Sequence, residues 1–361
     1  MSWILAFVGF AVLVLLHEAG HFVAAKAVGM RVERFSLFFP PLIARKTFGE
    51  TEYAIGAIPL GGYVKISGMN PDEDLPDEVR TRAYWAQPPW KRIVVIAAGP
   101  AVNLVVAFAL FLLYFGVIGL PGVTTRVDSV QARYPAAGQI RPGDRLLAVD
   151  GRRGSPQVLA DAISRHTCVP PPRPGCAAAE PAELLVRRGD GREVTLRLRP
   201  VYDAQLLRTR LGFGFTRTPR EALPPAAAVA LSTRQFWYVT KETVKLPLRL
   251  FDPVKRKEIS SVVGGYEITR QTILIDAALT VQILALISLS FAIINMFPFL
   301  PLDGGHIFWA VVEKVRGKPV SYGLMERAGV LGFVLVMGLF FIGLSNDIGR
   351  LTGEGFGLPT R

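Results

Sequence analysis

The chain has 361 residues, half of them (50%) hydrophobic, and a mean hydropathy of +0.35, too apolar for an ordinary soluble protein. Its 41 Lys and Arg against 29 Asp and Glu give a net charge of +12, but no basic run is interleaved with aromatics. Nucleic acid is therefore set aside as a partner in favour of a lipid bilayer surface, and the length suits two or so units.

The first predicted element is a membrane span over Ser2–Val28. Trp3 to Leu16 carries no charge and Phe22 to Val28 only Lys26, and crossing a bilayer takes about 20 apolar residues. Inside this span lies His17-Glu18-Ala19-Gly20-His21. Ionisable groups at that depth are costly and point to function. Residues four apart share a helix face, so His17 and His21 can bind one zinc ion. Glu18 is turned about 100° away, towards a metal-bound water rather than the metal. The chemistry expected is metal-assisted hydrolysis. A basic stretch ahead of the apolar run is missing, so this segment is expected to be retained rather than cleaved as a signal peptide.

Arg31 to Ser67 alternates apolar and polar residues between Gly and Pro, the pattern of short strands at or in the membrane. Asn70–Glu78 reads as a solvated acidic loop. A second span is expected over Ile93–Leu120. From Pro121 to Pro200 the composition becomes that of a water-exposed domain, with strands expected over Ala182–Arg188 and Glu193–Arg199 about the turn Gly189-Asp190-Gly191 and a helix near Gln157–Ser164. This suggests a small, partly open barrel. Cys168 and Cys176 close a Pro-rich loop there; a disulfide would suit an oxidising compartment, and two unpaired thiols are the alternative. Leu211–Phe215 (LGFGF) reads as a linker strand towards the membrane. Thr233–Leu250 reads as an amphipathic helix on the membrane or on the outer domain.

A third span, Ile273–Phe297, ends in Asn295-Met-Phe-Pro-Phe-Leu-Pro301-Leu-Asp303-Gly-Gly-His306. The prolines must break the helix, displaying Asp303 on irregular backbone. A helix-ending turn explains these residue types too. A catalytic zinc site, however, wants three protein ligands, and Asp303 suits the third place beside His17 and His21. Asn295 suits either a substrate hydrogen bond or a helix–helix one, and His306 reads as polar loop. The fourth span, Ala328–Leu344, looks shortest. Lys91, Arg92, Lys314, Arg316, Lys318 and Arg327 flank the spans on one side, so the positive-inside rule puts those loops in the cytoplasm and Pro121–Arg270 outside.

Together these residues resemble the site-2 protease family of intramembrane zinc metalloproteases, in particular bacterial members that carry a PDZ domain. His17–His21 is similar to the family's first-span HExxH, and Leu302-Asp303-Gly304 to its LDG. Ala98-Gly99-Pro100-Ala-Val-Asn103 resembles its second span and Gly61-Gly62-Tyr63-Val64-Lys65 its membrane-associated β-hairpin. Arg141-Pro-Gly-Asp-Arg-Leu-Leu-Ala-Val-Asp-Gly151 looks like a PDZ signature. The Cys168–Cys176 insert departs from that pattern.

The resemblance implies an α-helical polytopic membrane protein of about four transmembrane helices, with a membrane-associated β-hairpin region and an inserted PDZ-like α+β domain. Its expected division is 1–120 (two spans, HExxH and β region), 121–200 (extracytoplasmic PDZ-like domain), 201–272 (linker with amphipathic helix) and 273–361 (two spans with LDG). It implies Zn2+ on His17, His21 and Asp303, with Glu18 as general base. The expected place is the bacterial inner membrane, with the active-site loops towards the cytoplasm. The implied substrates are single-pass proteins such as anti-sigma factors or remnant signal peptides, cut in regulated intramembrane proteolysis. An edge strand at Gly62, Tyr63, Val64 and Lys65 would capture the unwound segment by strand addition, and Asn295 would assist. The PDZ-like domain would act as a size filter or as a receptor for a newly cut C-terminus. A zinc transporter would need ligands on more helices, and an inactive scaffold would not need Glu18.

Overall fold

The fold is that of a computed structural model, which describes residues 1–356 apart from 71–72, 170–172, 205, 207 and 355. Part of the acidic loop and of the Pro-rich loop thus lies outside the described residues. The chain divides into two compact units, 118–223 and the remainder.

The larger unit opens with α1 (Ser2–Ala27), followed by β1 (Val32–Phe48), β2 (Thr51–Ile66), the short α2 (Asp77–Arg80) and α3 (Pro89–Leu113), which continues as a π-helical turn over Tyr114–Ile118. β1 and β2 fold back on themselves. The first part of β1 pairs with both ends of β2, since Phe35 faces Tyr53 on one side and Val64 on the other. The segments therefore run in the order 42–48, 51–56, 32–37, 62–66. Gly62–Ile66 is an edge, and among the described residues no strand pairs with its outer side.

The smaller unit holds β3 (Leu120–Val130), β4 (Arg145–Val149), α4 (Pro156–Ser164), β5 (Ala182–Arg187), β6 (Glu193–Leu198), β7 (Val201–Asp203), β8 (Arg208–Arg210) and β9 (Phe213–Glu221). Its main sheet is antiparallel, in the order β6-β5-β4-β3-β9. Leu159, Ala162 and Ile163 of α4 bury against Leu146, Leu184, Val186 and Leu211. The Leu211–Phe215 segment is not a linker. β9 pairs with β3 along its length, and Phe213 and Phe215 pack on the core. Glycines and phenylalanines in alternation did not reveal this distant partner. Cys168 and Cys176 are disulfide-bonded, with Cα atoms 6.2 Å apart.

The chain returns to the larger unit with α5 (Pro225–Val244), α6 (Leu246–Arg249), α7 (Val262–Ile275), α8 (Ala277–Asn295), α9 (Asp303–Arg316) and α10 (Tyr322–Gly349). The predicted amphipathic helix begins earlier than read, at Pro225, and buries Ala228, Ser232, Val239 and Thr243 in packing on α3 and α8. The third span begins later, because the Asp276 carboxylate accepts a bond from the Ala278 amide at 3.0 Å and starts a new helix there. The fourth is longer than read.

Among the described residues four helices are long and apolar enough to cross a membrane: Ser2–Ala27, Pro89–Ile118, Ala277–Asn295 and Gly323–Gly353. Trp3, Ile4, Val8 and Val12 on α1 and Val330, Leu331, Phe333 and Val334 on α10 stand exposed. In water such stripes would be a liability; in a bilayer they are the lipid face.

Two polar clusters hold the helix ends. Asp347 of α10, fully buried, accepts from Ser260 Oγ, Ser261 N and Ser261 Oγ, each at 2.7 Å, and from Gly264 N at 3.0 Å. It thereby caps α7 from a distant helix. At the end of α1, Glu50 of the β1–β2 turn accepts two 2.8 Å bonds from Arg82 and one of 2.6 Å from Lys26.

Arg82 first, then Lys26, draws the Glu50 carboxyl down to about 2. A depressed folded-state value means that stabilisation is present above the unfolded value of about 4.3 and is lost as pH falls through the folded one. Glu50→Gln should therefore cost less than about 1 kcal/mol at neutral pH, because the cluster is partly solvated. In thermal unfolding in detergent, the gap between the two proteins should close as pH falls from about 4 towards 2. A gap that persists unchanged at the acid end would mean that the ion pairs contribute nothing.

Candidate active site

α1 carries His17 and His21 one turn apart, both buried (4% and 7% exposed). Asp303 is the first residue of α9, where the positive end of the helix dipole suits a carboxylate. Its Oδ2 lies 3.2 Å from His17 Nε2 and 3.4 Å from His21 Nε2, and the two Nε2 atoms are 3.2 Å apart. Ligand bonds of about 2.0–2.2 Å in a tetrahedron put ligand atoms about 3.3 Å apart, so this triangle has the size that zinc requires. Asp303 Oδ2 is buried with no hydrogen-bond partner among the described residues. Nδ1 of His21 donates to the Val95 carbonyl at 2.9 Å, which leaves its Nε2 lone pair aimed at the other two atoms. Two nitrogen donors and a carboxylate oxygen converging in this way fit a divalent cation.

Four close approaches at glycines make the triangle possible. A Cβ on Gly99 of α3 would stand 2.3 Å from His21 Nε2, and one on Gly20 would stand 2.6 Å from the Ala98 carbonyl oxygen. α1 and α3 therefore meet almost backbone to backbone beside the imidazole. On the other side, a Cβ on Gly304 would meet the Met296 carbonyl oxygen at 2.3 Å, and one on Gly305 the Leu300 nitrogen at 2.4 Å. The chain after α8 folds back tightly, and that turn delivers Asp303. The far end of α9 is held to α3 by a 2.6 Å ion pair between Glu313 and Arg92.

Glu18 lies within electrostatic range of His17, His21 and Asp303. A Cβ on Gly62 would approach its Cγ to 2.8 Å, so the edge segment of β2 runs directly beside it. Tyr63 stacks on Phe39 at 6.1 Å and its hydroxyl accepts from Arg34 at 3.1 Å. Val64 pairs with Phe35. The Lys65 ammonium is committed to Glu33 (2.7 Å) and Glu73 (3.0 Å), which leaves its backbone rather than its charge for a ligand. Asn295, the last residue of α8, is one turn from Phe291, whose ring lies 4.8 Å from that of His17. Its Nδ2 is buried without a partner among the described residues. His306 is not in a loop: it sits in the first turn of α9, within electrostatic range of Asp303 and His21.

Val95, Gly99 and Phe291 are the contacts that the sequence reading missed. A carbonyl acceptor carries no residue signature. The Gly-Pro pair at 99–100 within an apolar run was the one visible sign of close approach.

A family model described as peptidase family M50 matches residues 5–339. A protein of Nostoc sp. named as an inferred zinc metalloprotease is 31% identical, covering 98% of each chain. Similarly named proteins of Rhizobium meliloti (30% identical, 94% of each chain) and Campylobacter jejuni (28% identical, 95% of this chain and 92% of the relative) also match. The resemblance read from HExxH and LDG is borne out, and the chain belongs to peptidase family M50, the site-2 protease family of zinc metalloproteases.

Proposed function

We propose that the chain is a zinc-dependent intramembrane endopeptidase in which His17, His21 and Asp303 hold the metal and Glu18 is the general base. The observation that carries this reading is the buried triangle of two Nε2 atoms and one carboxylate oxygen, 3.2–3.4 Å on a side, formed by an apolar helix and the turn after another. When bound there, zinc supplies a Lewis acid for the scissile carbonyl and a water that ionises near neutral pH. Glu18 takes a proton from the attacking water. As the C–N bond breaks, Glu18 returns that proton to the leaving amine. Asn295 donates its unpartnered Nδ2–H to the substrate backbone or to the developing oxyanion.

A helical substrate hides its peptide groups in its own hydrogen bonds, so it must unwind locally. The Gly62–Ile66 edge, touching Glu18 at Gly62, can receive the unwound stretch as an added strand. Single-pass membrane proteins are the substrates that suit such a site, with anti-sigma factors and remnant signal peptides as candidate classes in regulated intramembrane proteolysis. The five-stranded unit is read as PDZ-like and extracytoplasmic, selecting substrates by ectodomain size or by a freshly cut C-terminus. β9, an edge strand that follows Leu211-Gly212, would serve for the latter. The disulfide suits that orientation, and the basic loops between spans suit a cytoplasmic side for the catalytic turn in a bacterial inner membrane.

Glu18→Gln should abolish cleavage of a single-pass reporter with a short outer stub, by at least about 10²-fold, while bound zinc measured by elemental analysis stays at parity. Cleavage that survives the substitution would sink the mechanism. Gly99→Ala should push the His21 ring off the centre and weaken zinc binding about tenfold or more; an undiminished affinity would mean that the helix contact is not what holds the ring. Successive N–H groups along a strand point to opposite edges. Proline at Tyr63 and at Val64, tested one at a time, therefore removes an outward donor in one of the two. At least one should cut proteolysis with zinc unchanged, and full activity in both would rule out capture on this edge.

A further inference from the structure

Asn103 of α3 is the least accessible carboxamide near the site. It is 0% exposed, and among the described residues neither Oδ1 nor Nδ2 has a hydrogen-bond partner. A buried amide left in this state is a standing cost that a membrane interior makes worse, so it demands an explanation. Nδ1 of His17 is in the same condition, buried and without a partner. Its neighbour His21 is different, because its Nδ1 donates to the Val95 carbonyl.

The helix register brings the two orphans to one level. α1 and α3 run antiparallel. Lys91 Nζ reaches the Val28 carbonyl at 3.0 Å at one end, His21 meets Val95 and Gly99 further along, and Gly20 abuts Ala98 and Gly99. One turn back along α1 from His21 is His17; one turn on along α3 from Gly99 is Asn103. α8 closes the same corner. Ser288 Oγ donates to the Asn103 backbone carbonyl at 2.9 Å, and Phe291, three residues on, packs its ring against His17. Ser288 bonds the backbone of Asn103 and leaves the carboxamide free, so interhelical bonding does not account for the side chain.

We propose that Asn103 is a positioning residue for His17. Its Oδ1 accepts, through one bridging water, a hydrogen bond from Nδ1 of His17, and so holds the ring with Nε2 directed at the metal. The two histidines would then be oriented by different means: a main-chain carbonyl for His21 and a side-chain amide for His17. This inference rests on the ligand set proposed above. A partner of this kind is ordinarily worth about 10–100-fold in metal affinity.

The test is zinc affinity, by chelator competition on the full-length protein in detergent, for Asn103→Leu, Asn103→Asp, Ser288→Ala and His17→Ala. Thermal unfolding of each metal-free protein is measured alongside. Asn103→Leu keeps the shape and removes the acceptor, and should bind zinc about 10–100-fold more weakly. Asn103→Asp keeps an acceptor and should stay close to the parent, as should Ser288→Ala, which touches only the backbone contact. Parental affinity in Asn103→Leu, or an equal loss in Asn103→Asp, would overturn the proposal. Should the leucine variant fail to fold, Asn103→Ala is read in the same way. Zinc retained by His17→Ala would overturn the ligand set itself. Zinc lost there but kept by Asn103→Leu would sink only the role of Asn103.

Discussion

Two imidazole nitrogens and a carboxylate oxygen within 3.4 Å of one another, among apolar helices, repel through their lone pairs unless a cation or a shared proton sits between them. Much of the larger unit can be understood as the means of meeting that condition. α1 supplies two of the atoms at fixed helical spacing, which costs nothing beyond burying the rings. The third must come from another element and arrive at the same depth. Here it arrives on the first residue of α9, at the end of a tight return whose glycines leave no room for a side chain.

The supporting contacts are strongest where a small displacement would open the triangle. His21 is held by a main-chain carbonyl and walled in by Gly99, and α9 is tied at its far end to Arg92. Such anchoring by backbone and ion pair restricts sliding as well as separation, which side-chain packing among lipid-like residues does less well. The β segments serve another purpose. Their folded-back register presents an edge beside Glu18, unpaired on its outer side among the described residues, while the 32–37 segment pairs with its inner side and two further segments lie behind.

The spans and the two motifs were legible in the sequence for one reason. Ionisable residues are so expensive in an apolar run that His17, Glu18, His21 and Asp303 stand out against it. The strand pattern of Arg31–Ser67 was legible as alternation, but not as four segments, because register depends on partners that the local sequence does not encode. β9 was hidden for the same reason: its partner β3 lies roughly ninety residues away in sequence. The start of the third span was misread at Ile273 because hydropathy runs on through Asp276, whereas the capping bond of that residue ends one helix and begins another. Val95 could not have been found at all, since its contribution is a carbonyl that every residue possesses.

The near-contact of α1 with α3 at Gly20 and Gly99 has a bearing on traffic. A helix travelling in the plane of the bilayer cannot pass between two neighbours whose backbones already touch. That seam is shut to anything larger than a hydrogen atom. For the intramembrane cleavage proposed above, that leaves the other flanks of α1, and the flank bearing Val14 and Glu18 is where Gly62 lies. The glycines that bring the imidazole to its station thus also decide from which side a guest can reach it.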